Sequence, residues 1–349
     1  MASQPCPLLA LTMGDCCGIG PEIIARLFRG DEAAACVVIG DMSVMRRAAA
    51  LAEGMLPLAH VERAADALGV PAGCIPVLQV EGLAADLLAA PFGHADARAG
   101  AAAARCIERA VALVQGGEAA AIVTAPIHKE AFAAAGLAWP GHTEMLQALA
   151  ASGGAPAPVR MMLANDELRT VLVTIHLSLR QAIEAVTFDA VLETLRIAHR
   201  AGAGFGLPAP RIGVAGLNPH AGEGGLFGDE EMLVIGPAVR AAQAEGIDAS
   251  GPFAPDTVFM RARHAPGHPG EFDIVVSMTH DHGLIPVKYL GLEHGVNVTL
   301  GLPFVRTSPD HGTAFDIAGR GIADASSLKA AVRMARRLAS ARLSASSAR

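Results

Sequence analysis

Aromatic residues are scarce in this chain, 4% with one Trp and one Tyr, which removes the stacking platforms used by single-strand nucleic acid binders and many sugar binders. Positive charge is short as well. Lys plus Arg number 27 against 34 Asp plus Glu, a formal net charge of -7 that repels a phosphate backbone, so no nucleic acid partner is expected. Apolar residues make up 52%, yet no uncharged apolar run reaches the roughly 18 residues of a membrane helix. The N-terminus also lacks the basic-then-apolar pattern of an export signal, and the expectation is a soluble, cytoplasmic protein with no membrane partner. Six cysteines contain no CxxC pair, which argues against both a zinc ribbon and a disulfide framework. They are read as reduced and mostly buried, and small-molecule chemistry is what remains.

Against these absences stand short apolar runs at 7–13, 36–40, 120–124, 171–175, 212–217 and 274–278, bounded by turn residues as buried strands are. Alanine-rich stretches at 99–113 and 188–203 are long enough for helices. The alternation predicts an α/β fold with a largely parallel sheet flanked by helices, and 349 residues suit two medium domains. The Ser/Ala/Arg tail, 339–349, is expected to fray.

Polar residues follow several of these runs, among them Asp15, His128, Lys129, His176, Asn218, His220, His280 and Asp281. In open α/β sheets ligands bind beyond the carboxyl ends of strands, so such residues converge. His176, His220 and His280 each follow an apolar run, and three neutral imidazoles make a divalent-metal site with open positions for substrate. One such histidine alone would more often be structural; the repeated placement favours a metal. Asp256, Asp281 and His282 are further ligands or acceptors that fix an imidazole tautomer. Gly141-His142-Thr143-Glu144 reads as a loop opening a helix, suited to an anion or simply to an N-cap. The run from Gly14 to Glu22 is neither a Rossmann fingerprint nor a Walker loop. Lys129, Lys288, Arg306 and Arg320 are candidate anion binders, and Lys288 and Arg306 sit in apolar contexts where purposeless burial would be costly.

These motifs, in order across nearly the whole chain, resemble the 4-hydroxythreonine-4-phosphate dehydrogenase family. The resemblance is carried by Thr-Ala-Pro-Ile-His128-Lys129, Gly141-His142-Thr143-Glu144, His176-Leu-Ser-Leu-Arg180 and Gly216-Leu-Asn-Pro-His220-Ala-Gly-Glu223-Gly-Gly. Pro255-Asp256-Thr257, His280-Asp281 and the segment from Gly295 through Asn297 to Arg306 complete it. It implies an isocitrate dehydrogenase-like fold in two domains, 1–125 with 290–349 on the nucleotide side and 126–289 on the metal and dimer side, with the active site in the cleft. A homodimer with shared active sites is also implied. His176, His220 and His280 match the family's metal ligands, for zinc, magnesium or cobalt. His142, Thr143, Lys288, Asn297 and Arg306 match substrate-binding positions. His311, Gly312, Thr313, Ala314 and Asp316 lie in a segment similar to the adenosine-binding loop of isocitrate and isopropylmalate dehydrogenases, a place for NAD or NADP. Two departures stand out: Cys16-Cys17 where the family usually has Pro-Ala, and His282 where glutamine is usual.

The implied reaction is hydride transfer from a carbinol carbon to the nicotinamide, then loss of carbon dioxide, with the metal as Lewis acid. Lys288 is the candidate for proton transfer and Asp256 the second catalytic candidate. Relatives act on phosphorylated four-carbon sugar acids or on cyclic diol carboxylates. A metal-dependent phosphate-ester hydrolase and a degenerate small-ligand sensor are the alternatives from other classes.

Overall fold

The apolar runs are strands and the alanine-rich stretches between them helices in the computed structural model, which describes residues 6–52, 54–151 and 154–347. In chain order come β1 (Leu9–Thr12), α1 (Gly20–Leu27), β2 (Cys36–Gly40), α2 (Met42–Leu51), β3 (Leu58–Val61), β4 (Ile75–Gln79), α3 (Ala97–Gln115), β5 (Ala121–Thr124), α4 (Lys129–Ala134) and α5 (His142–Ala150). Then follow β6 (Arg160–Ala164), β7 (Arg169–Leu172), α6 (Leu179–Ala185), α7 (Phe188–Gly202), β8 (Ile212–Ala215), α8 (Gly236–Ala244), β9 (Ala249–Phe253) and α9 (Val258–Ala262). A short hairpin, β10 (His264–Ala265) and β11 (His268–Pro269), precedes β12 (Ile274–Ser277), α10 (His280–Tyr289), β13 (Val296–Leu300), β14 (Val305–Pro309) and α11 (Ser326–Ser347).

Two compact units result. The first runs to Ala157 and resumes at Leu302. Its strands lie in the order β3-β4-β2-β1-β5-β14, all parallel. Every residue of β1, β2 and β5 is buried, because helices cover the sheet and leave no wet side on which polar residues would alternate. Asp41 starts α2 by accepting the N–H groups of Ser43 and Val44 at 2.8 and 2.9 Å, and Asp96 starts α3 by accepting that of Arg98 at 2.8 Å.

The second unit is Pro158–Gly301, with strand order β13-β6-β7-β12-β8-β9. Here β7, β12, β8 and β9 are parallel, while β6 runs antiparallel to both β13 and β7. Leu163, Leu172, Val275, Phe259, Phe272 and Leu284 belong to its core. Helix α10 lies close on β7 because Gly283 has no side chain; a Cβ there would strike Leu172 and Thr170.

The division differs from the expected one. Residues 126–157 pack with the first unit because α4 and α5 lie on α3, and residues 290–301 join the second because β13 pairs with β6. The tail expected to fray is helical through Ser347, and positions 348–349 lie outside the described residues. Among the described residues no helix is long and apolar enough to cross a membrane.

Candidate active site

Because β7, β12, β8 and β9 lie side by side and point the same way, the residues beyond their carboxyl ends share one edge of the second unit. Those residues are His176, His280, His220 and Asp256. The rings of His176 and His280 stand with centroids 5.8 Å apart and planes tilted by 43°. They line a pocket of about 200 Å³ with Thr174, Thr279 and Asp281. Two imidazoles sharing one ion at metal–nitrogen distances of about 2.0–2.1 Å place their centroids about 5–6 Å apart, so the spacing fits a metal. Asp281 Oδ1 lies 2.7 Å from His280 Nδ1, which makes that nitrogen the donor and leaves Nε2 to ligate.

His220 sits on an unusual turn, in which His220, Ala221, Gly222, Glu223 and Gly224 all adopt left-handed backbone (φ 54°, 52°, 79°, 44° and 66°). His176 does the same at φ 47°. For a non-glycine residue such a conformation costs about 1–3 kcal/mol and persists only where the surroundings impose it. Two of the three candidate ligands are therefore presented on strained backbone. The His220 side lines a second pocket, of about 330 Å³, with Asp256 and His282. His282 Nδ1 is buried without a hydrogen-bond partner among the described residues. Lys288 is half-buried at the carboxyl end of α10, and Asn297 is half-buried on β13 opposite Leu163.

In the first unit, Arg306 on β14 is 3% exposed and donates from Nη2 to Thr124 Oγ1 at 2.7 Å. Burial pushes its pKa down to about 10, so the guanidinium stays charged at neutral pH. His142 and Thr143 open α5, which no side chain caps. His142 Nε2 is buried with no partner among the described residues. Burial first, and the charge of Arg306 second, hold its pKa well below the ordinary value. A neutral ring, a helix N-terminus and a buried guanidinium form a chemistry suited to an oxyanion. Lys129 and Arg320 are exposed.

The segment carrying His311, Gly312, Thr313, Ala314 and Asp316 packs on the turn after β1. Thr313 O accepts the N–H of Ile19 at 3.0 Å, and Gly18 lies against the Thr313 side chain. Ala314 is left-handed at φ 44°, His311 Nδ1 is 3.0 Å from Gly312 O, and Asp316 is exposed. Phe315 stacks on His128 with centroids 4.4 Å apart and planes at 18°.

Two residues placed at strand ends, but given no role from sequence, meet here. Asp15, 1% exposed, accepts the Cys17 N–H on Oδ1 at 2.8 Å, and its buried Oδ2 has no partner among the described residues. Burial pushes its pKa up more than the Cys17 N–H and His128 pull it down. His128 Nδ1 is likewise buried without a hydrogen-bond partner among the described residues. Cys16 and Cys17 are both buried in the turn that carries Asp15, so this departure from the family pattern falls beside a buried carboxylate. All six cysteines are free, and four are buried, as the composition suggested.

A family model described as pyridoxal phosphate biosynthetic protein PdxA matches residues 32–335. The chain is 55% identical over 334 residues to the 4-hydroxythreonine-4-phosphate dehydrogenase of Beijerinckia indica, an alignment covering 95% of this chain and 94% of that one. It is 47% identical to the D-threonate 4-phosphate dehydrogenase of Cupriavidus necator, over 96% of this chain and 98% of the relative. The crystal structure of 4-hydroxythreonine-4-phosphate dehydrogenase from Klebsiella pneumoniae aligns with a TM-score of 0.85 at 42% identity, covering 97% of this chain and 99% of that one.

Proposed function

The chain belongs to the family of pyridoxal phosphate biosynthetic protein PdxA, and from that premise we propose that it is a metal-dependent, NAD(P)-linked dehydrogenase. Its substrate is 4-hydroxythreonine 4-phosphate or a closely related phosphorylated hydroxy acid; oxidation at the CH–OH carbon is followed by loss of carbon dioxide. The observation that carries this reading is the placement of His176, His280 and His220 beyond the carboxyl ends of adjacent parallel strands. His176, His280 and His220 would hold a divalent ion, zinc, magnesium or cobalt, which when bound would supply Lewis acidity.

The protein's own side chains bind and orient. Arg306, His142 and Thr143 take an anionic group of the substrate, with charge-assisted hydrogen bonds from the guanidinium. Lys288 and Asn297 take further substrate oxygens, and Lys288 moves the hydroxyl proton. Asp281 holds the His280 ring, and Asp256 stands beside His220 to orient it or to ligate. His311, Gly312, Thr313, Ala314 and Asp316 hold the adenosine half of NAD or NADP. The second substrate reading, D-threonate 4-phosphate, uses the same chemistry and rests on the Cupriavidus relative.

A second copy of the chain completes the assembly in this reading. Large apolar side chains are exposed beside each candidate metal ligand: Leu177 and Leu179 after His176, Leu226 (73%) and Phe227 after His220, Ile285 and Tyr289 (91%) on the helix that His280 opens. Exposed apolar side chains this close in sequence to the three histidines support an interaction face beside them. Free thiols fit the reducing cytoplasm.

The test is nicotinamide reduction with 4-hydroxythreonine 4-phosphate and with D-threonate 4-phosphate, with each metal added and after chelation. Reduction with at least one substrate, lost on chelation, is expected. Phosphate release without nicotinamide reduction would instead establish the hydrolase. Full turnover by protein shown metal-free by elemental analysis would remove the metal from the mechanism.

A further inference from the structure

The left-handed turn His220–Gly224 needs a holder, since L-residues other than glycine leave this conformation unless packing or hydrogen bonds impose it. One buried carboxylate is placed to hold it. Glu231, 4% exposed, opens a π-helical turn, Glu231–Ile235, that leads into α8. Its Oε1 accepts the backbone N–H groups of Leu217 and Asn218, each at 2.7 Å, and its Oε2 accepts Asn218 Nδ2 at 2.9 Å. Two glycines make room for it: a Cβ on Gly216 would stand 2.9 Å from Oε1, and one on Gly222 would stand 2.8 Å from Oε2. The carboxylate thus accepts hydrogen bonds from the chain as it leaves β8, before His220, and occupies the space that Gly222, inside the turn after His220, leaves open. Burying a carboxylate is costly unless donors meet it, and here the donors belong to the segment that carries a candidate ligand.

We propose that Glu231 is a positioning residue, which by accepting hydrogen bonds from Leu217 and Asn218 and filling the space beside Gly222 sets where His220 presents its imidazole and so sets the affinity of the three-histidine group for a divalent cation. The proposal rests on His220 being a ligand. Glu231→Gln keeps the volume but turns one acceptor into an NH2 that opposes an N–H donor.

The experiment titrates Co2+ alone, by calorimetry, into metal-stripped full-length protein and its variants, with folding checked by circular dichroism. Glu231→Gln should bind Co2+ about ten- to a hundredfold more weakly, the usual range for losing a group that orients a ligand. Asn218→Ala, which removes the Nδ2 contacts to Glu231 Oε2 at 2.9 Å and to Glu230 Oε2 at 2.6 Å but leaves both backbone donors on Glu231 Oε1, is the milder variant should Glu231→Gln fail to fold, and it should weaken Co2+ severalfold. His220→Ala is the reference. Wild-type Co2+ affinity in folded Glu231→Gln, or in Asn218→Ala where that variant stands in, overturns the positioning role, even if thermal stability falls. Wild-type affinity in His220→Ala overturns the ligand assignment beneath it instead.

Discussion

Burial sets the charge state of His142, one of the residues proposed to meet an anion in the first unit. His142 is held neutral, burial being the larger cause and Arg306 the smaller, so its folded pKa lies below the unfolded value of 6.5. Between those two values the unfolded chain takes a proton that the folded chain refuses. The stability tied to this group is therefore fully present above about pH 6.5 and is lost as pH falls below it. His142→Gln should accordingly lose less stability than wild type between about pH 7 and pH 5, read as the shift in denaturant midpoint. Identical pH slopes for the two proteins would show that His142 titrates normally. The same scale marks the limit of what the sequence shows. His176, His220 and His280 are legible because each follows an apolar run, and Arg306 because a charge in apolar context needs a reason. Glu231 and Asp15 are not legible, since a carboxylate's task depends on which N–H groups or cations folding brings to it. Nothing in the run Gly228-Asp229-Glu230-Glu231 says that one of its acids accepts from Leu217 and Asn218.

Among the elements, legibility follows burial on both faces. Strands β2, β5, β8 and β12 read as continuous apolar runs because helices or neighbouring strands leave them no solvent side. Strands β13 and β14 carry Asn297, Thr299, Arg306 and Thr307, so composition hides them, although Thr299, Arg306 and Thr307 are buried. The expected domain boundaries missed for a related reason: β13 belongs to the second unit through antiparallel pairing with β6, a long-range contact without local signature. Close approach of helices is similarly invisible until glycines are placed. On α3, a Cβ at Gly100 would collide with the backbone of Ala131 in α4, the helix that follows His128. Gly100→Ala should therefore destabilise the protein by about 1–3 kcal/mol, as overpacking does. Gly69→Ala, where a Cβ meets open space, should stay within about 0.5 kcal/mol of wild type. Equal denaturation midpoints for the two variants would refute the close contact of α3 with α4.

For the whole molecule, a net charge of -7 means that attraction for a phosphorylated substrate has to be built locally rather than from the overall field, and Arg306 with the start of α5 is the proposed source. The exposed apolar residues beside the histidines pose the matching question of what covers them, and a two-fold pairing of chains is the proposed answer. If three metal ligands are divided between two chains, one chain supplies two and the other supplies one. Consider inactive His176→Ala, His220→Ala and His280→Ala chains mixed in pairs with subunit exchange. Where the two altered ligands come from different chains of a site, a hybrid dimer has one site with all its histidines and one lacking two. Where they come from the same chain, each site of the hybrid lacks one, and the mixture stays silent. Random pairing makes about half the dimers hybrid, so a productive mixture should regain roughly a quarter of wild-type activity. Two of the three mixtures should recover, and the silent one identifies the pair of histidines that a single chain contributes. Silence in all three, with hybrids verified and each parent folded and able to bind cofactor, would mean that every site is built within one chain, and the exposed apolar face would then serve association without sharing the chemistry.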